Sequence, residues 1–93
     1  SRMIICNCTL HLDLYDVSSL KGRRSVLNKF KEKLKTFNVS VMDISGEYAR
    51  EADIAFVFLS PDRLEASRYR DRIENALLSL FPEYTIEIEY EEL

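Results

Sequence analysis

Two segments of this chain repeat their apolar residues at helical spacing, and alternating segments enclose each of them. Residues 3–14 set Ile4, Cys6, Cys8, Leu10, Leu12 and Leu14 on one face of an extended strand and Asn7, Thr9, His11 and Asp13 on the other, because neighbouring side chains in a strand point to opposite faces. Tyr15-Asp16-Val17-Ser18 turns the chain, and Ser18 or Ser19 can cap a helix running from about Leu20 to Phe37. Val26, Leu27, Phe30, Leu34 and Phe37 form its apolar stripe. Asn38 to Ile44 reads as a second strand ending near Gly46, and Ala52 to Leu59 as a third. The third is apolar on both faces, as a central strand would be. Ser60-Pro61-Asp62 reads as a helix start, with Ser60 as cap, Pro61 in the first helical position and Asp62 on the dipole. The helix then runs from Leu64 to Phe81, Pro82 stops it, and Thr85 to Tyr90 alternates as a fourth strand.

The order is therefore β-α-β-β-α-β. Two split βαβ units with right-handed crossovers give a ferredoxin-like α+β fold: a four-stranded antiparallel sheet, strand order 4-1-3-2, with both helices on one face. Ninety-three residues suffice for one two-layer core but not two, so residues 3–93 are expected to form a single domain. Ser1-Arg2 reads as an expression remnant ahead of a native Met3. No apolar run approaches the roughly 20 residues that span a bilayer. No basic region with an apolar core and cleavage site opens the chain either. No membrane partner is expected, and the expected compartment is the cytoplasm.

Charge is distributed unevenly. Lys21 to Lys35 holds seven Lys/Arg and one acid, a local +6, while the remaining residues hold six basic and fifteen acidic side chains, a local −9. A chain of net charge −3 has gathered over half its cations into one helix, which points to a polyanionic partner. At about 100° per residue, Arg24, Lys31 and Lys35 fall within about 40° of one another, with Asn28 and Lys21 alongside. That row is turned roughly 120° from the apolar stripe. Lys21, Arg23, Arg24, Lys31 and Lys35 are the expected phosphate contacts, with Asn28 as their polar neighbour. A solvated helix face is the plainer reading of the same cations.

Other sites are less productive. Cys6 and Cys8 are the only cysteines, and in the inward row they read as small buried hydrophobes rather than half a metal site. No metal or cofactor is expected. Ferredoxin-like RNA binders stack bases on the open sheet face, but here Ile54, Phe56 and Phe58 should face the helices. Ala55, Val57 and Leu59 are left outward, an apolar strip suited to sheet-to-sheet packing between two copies. His11 reads as a lone surface histidine beside Asp13. Glu87, Glu89, Glu91 and Glu92 read as solubilising residues on an edge strand. The four arginines of the second helix read as one half of surface ion pairs, with Arg70 and Glu74 a turn apart. The loop after strand one lacks the glycine-rich phosphate cradle and arginine of an acylphosphatase, and no nucleophile–His pair, P-loop or dinucleotide fingerprint is present. The expectation is a binding protein, not an enzyme.

Met3-Ile4-Ile5 leading into an alternating strand, Ser19-Leu20-Lys21 followed by Arg23-Arg24 and Val26-Leu27, Asn38-Val39-Ser40-Val41, and an apolar strand ending at Ser60 before Asp62 together resemble the YlxP-like family of small bacterial proteins of unknown function. The Ser-Leu-Lys segment is the most specific part, and the likeness covers nearly the whole native chain. The resemblance implies a ferredoxin-like fold, a bacterial cytoplasmic setting and work around RNA or the ribosome. It implies no catalytic residues. The alternative is a homodimeric structural or interaction module that binds no nucleic acid.

Overall fold

A computed structural model describes residues 3–93; Ser1 and Arg2, read above as a remnant, lie outside the described residues. The elements follow in the expected order: β1 (Ile4–Asp13), α1 (Leu20–Leu34), β2 (Ser40–Asp43), β3 (Glu51–Ser60), α2 (Arg63–Leu78) and β4 (Thr85–Glu92). The four strands form one antiparallel sheet in the order β2-β3-β1-β4. β1 and β3 pair along their full length, from Ile4 opposite Ser60 to Asp13 opposite Glu51. β4 lines the other side of β1, with His11 opposite Glu87 and Cys8 opposite Tyr90.

The alternation of β1 sets which face is covered. Cys6, Cys8, Leu10 and Leu12 are buried, as are Ala52, Ile54, Phe56 and Phe58 of β3, and they pack with Leu27, Phe30 and Leu34 of α1 and Ala66, Ile73 and Leu77 of α2. Both helices therefore cover the same face. Phe56 and Phe58 belong to this core and offer no stacking surface. Both thiols are free and buried. Burial, with Cys6 alongside, pushes the Cys8 thiol up to about 12, so it stays protonated and inert.

The strand ends shift by one or two residues from the sequence expectation, and the helix ends differ for identifiable reasons. α1 closes at Leu34 rather than Phe37, because Thr36 N–H bonds Lys33 O and Phe37 N–H bonds Leu34 O, a tightened three-residue turn. α2 likewise closes at Leu78, with Leu80 N–H on Leu77 O. At its start the cap is Asp62, whose carboxylate accepts from Glu65 N–H at 2.8 Å. Ser60 is instead the buried last residue of β3, its hydroxyl donating to Asp62 O at 2.8 Å, and Pro61 precedes the cap. Asp62 wins because its backbone is extended (φ −158°, ψ 175°), the geometry that lets a cap side chain reach back to the first turn.

Candidate functional site

The basic helix begins at Ser19, whose hydroxyl accepts from Gly22 N–H at 3.0 Å. Gly22 suits this tight cap, since a Cβ there would lie 3.3 Å from the Ser19 hydroxyl. Along the helix, Lys21, Arg24, Asn28 and Lys35 are exposed and Lys31 is half-buried. Lys31 and Arg24 border a shallow hollow between α1 and β2 that also contains Asp43. Burial would raise the Asp43 pKa, but hydrogen bonds from Ser45 and the charges of Lys31 and Arg23 outweigh it and hold the carboxyl below its ordinary value.

Arg23 leaves the expected row. It is 9% exposed, and its Nη1 donates to the Tyr48 carbonyl at 2.9 Å and the Glu51 carbonyl at 3.0 Å. The cause is helical phase: Arg23 lies one turn before Leu27 and two before Phe30, on the stripe that packs inward. A guanidinium brought there must find acceptors, and it takes two carbonyls of the β2–β3 connection. It is a clamp rather than a solvent-facing phosphate contact.

The cations of the two helices differ in how they are used. Arg63 of α2 pairs with Glu92 at 3.0 Å and Arg68 with Glu65 at 3.3 Å. Arg70 lies over the Tyr90 ring at 4.1 Å and Arg72 over Tyr69 at 5.0 Å, so Arg70 takes an aromatic partner rather than Glu74. Glu92 thereby leaves the outward acidic set. On α1, by contrast, no carboxylate lies within ion-pairing distance of any Lys or Arg among the described residues. Lys21, Arg24, Lys31 and Lys35 keep their charge available.

The open sheet face divides into two halves. At one end Leu59 (63% exposed) stands beside Ile5, with Met42 and Leu93 exposed nearby and Ala55 and Val57 half-buried opposite polar Thr9 and Asn7 of β1. At the other end His11 sits among carboxylates. Its Nδ1 is hydrogen-bonded to Asp53 across the sheet, a cross-strand partner rather than the Asp13 of its own strand. Its Nε2 is 3.4 Å from a Glu89 oxygen, within reach of an ion pair but not aligned as a hydrogen bond. The bond to Asp53 raises the imidazole pKa above its ordinary value, against the opposing effect of burial. Among the described residues no set of three or more His, Cys, Asp or Glu is arranged to hold a metal ion. No helix among them is long and apolar enough to cross a membrane.

A family model described as a protein of unknown function, DUF503, matches residues 5–90. The chain belongs to this family. No match among curated proteins accompanies it. Solved structures similar to this DUF503 chain include the de novo designed proteins Foldit4 and Ferredog-Diesel. Foldit4 is 14% identical, with a TM-score of 0.55 over 97% of each chain. Ferredog-Diesel is 15% identical, with a TM-score of 0.51 over 94% of this chain and 83% of that one. A Thermus thermophilus protein described as a PII-like signalling protein is 10% identical, with a TM-score of 0.50 over 100% of this chain and 91% of that one. At these identities the likeness is one of fold.

Proposed function

We propose that this DUF503 protein, of the YlxP-like kind, is a non-enzymatic binding protein of the bacterial cytoplasm that takes RNA, free or in the ribosome, along the exposed row of α1. The carrying observation is the contrast between the helices. Every arginine of α2 has a partner within the fold, whereas the cations of α1 other than Arg23 have no ion-pair or ring partner among the described residues. A row of unpaired cations on a protein of net charge −3 favours a polyanion, because each phosphate it neutralises releases condensed counterions. From Lys21 to Lys35 the row spans about 21 Å, at a rise of about 1.5 Å per residue. That is long enough to follow several phosphates.

Titration of a fluorescent, unstructured RNA tests it. Wild-type protein binds at low salt, and R24E/K31E/K35E loses binding while keeping its thermal midpoint near that of wild type. Equal affinity of the two proteins overturns the proposal.

A second reading concerns the opposite surface. Ala55, Val57 and Leu59, with exposed Met42, Leu93 and Ile5 beside them, suit a homodimer packed sheet to sheet. The acidic half would oppose full overlap of two copies, so a staggered dimer buries only the apolar half. Light scattering distinguishes the cases: a dimer that L59E converts to a monomer supports this reading, and a strict monomer at high protein concentration overturns it.

A further inference from the structure

Resting on the polyanion reading, we infer that the ligand is a single-stranded nucleic acid, with one unpaired base stacked on Tyr48. Tyr48 lies on the connection between β2 and β3, and Arg23 binds its carbonyl to the first turn of α1. That turn carries Lys21 and Arg24. The connection is held at further points: Glu51 N–H donates to Tyr48 O at 3.1 Å, Leu14 N–H to Arg50 O at 2.7 Å, and Arg23 also reaches Glu51 O. Its backbone is fixed while the Tyr48 side chain projects, 59% exposed.

The ring is also unengaged. Tyr15, Phe30, Phe37, Phe58, Tyr69, Phe81 and Tyr84 all pack against other rings, Tyr90 lies under Arg70, and Phe56 is fully buried. Among the described residues Tyr48 alone is neither buried nor stacked, and its hydroxyl makes no hydrogen bond to them. An aromatic face held open on a fixed backbone next to cations is the combination that takes single strands: the cations follow the phosphates and the ring stacks a base. A duplex keeps its bases stacked internally and offers the ring nothing.

The acidic half of the sheet face limits where the strand can run. Tyr48 borders a hollow of about 600 Å³ that also contains Asp13, Glu51, Asp53 and Glu87. Phosphates are repelled from that side, so the backbone stays over α1 while an uncharged base reaches the ring. Arg50, exposed and two residues from Tyr48, lines the same hollow and offsets only part of its four carboxylates.

The test compares an unstructured RNA with the duplex of the same sequence, using wild type, Y48A, Y48F and R24E/K31E/K35E. Removing one stacked base contact weakens single-strand binding by between about 5- and 100-fold. Y48A is expected to show that loss for the single strand and none for the duplex, with an unchanged thermal midpoint and an unchanged salt slope. Y48F keeps wild-type affinity. If Y48A binds the single strand like wild type, or weakens duplex and single strand equally, the stacking role is overturned while binding along α1 stands. If wild type binds neither nucleic acid at low salt, both fall.

Discussion

The Arg23 guanidinium donates to the Tyr48 carbonyl at 2.9 Å, joining the first turn of α1 to the connection between β2 and β3 across 25 residues of sequence. The same nitrogen reaches Glu51 O at 3.0 Å. Two carbonyls that approach the core are satisfied by one buried cation, and one exposed ring is carried on the backbone so fixed.

Arg23 and Arg24 are adjacent in sequence and opposite in role. Arg23→Ala removes two charge-assisted hydrogen bonds, strips the Glu51 carbonyl of the Arg23 donor and leaves the Tyr48 carbonyl with only the Glu51 N–H, at a cost of about 2–3 kcal/mol in urea denaturation. Arg24→Ala changes stability by no more than about 0.5 kcal/mol, as exposed surface substitutions do. Equal destabilisation by the two would contradict the clamp.

His11 links stability to pH. Its folded-state pKa lies above its ordinary value of 6.5, chiefly through the bond to Asp53 and also through Glu89. The facing groups are Asp53 on β3, Glu87 and Glu89 on β4, and Asp13 on its own strand. A raised pKa means that the folded state holds the proton more tightly than the unfolded chain does. The contribution is full below about pH 6.5 and is lost as pH rises through the folded-state value. The urea midpoint of wild type is expected to fall across that window, and that of His11→Gln to change less. A wild-type midpoint that rises there, or an identical decline in His11→Gln, would show that the imidazole is not so held.

The cap of α2 gives a local test. Asp62→Ala is expected to lower stability by about 1 kcal/mol, and Asp62→Ser to recover most of the loss, since either oxygen can accept from Glu65 N–H. No difference between the two variants would place the cap elsewhere.

Topology was legible because the change from period two to helical period marks each element, and the apolar character of both faces of β3 marks it as central. The inward turn of Arg23 was also legible, since counting helical phase from Leu27 and Phe30 puts it on the buried stripe; its charge alone suggested the solvent row. Its acceptors were not legible, because they are carbonyls of a loop more than twenty residues away, and backbone acceptors leave no trace in side-chain identity. His11 is similar: Asp13 is close in sequence, but the register of β1 against β3 sets Asp53 directly opposite. At the start of α2, Ser60 and Asp62 are both competent caps, and only the length of β3 decides between them.

The salt dependence of RNA affinity tests the central proposal most directly. If Lys21, Arg24, Lys31 and Lys35 each neutralise one phosphate of a single strand, log K falls against log salt with a slope of about −3. That is a loss of about 50-fold between roughly 50 and 200 mM salt. A slope near −3 in wild type that flattens toward zero in R24E/K31E/K35E is the expected result. An affinity insensitive to salt, or a slope unchanged by the three substitutions, would contradict RNA binding along α1.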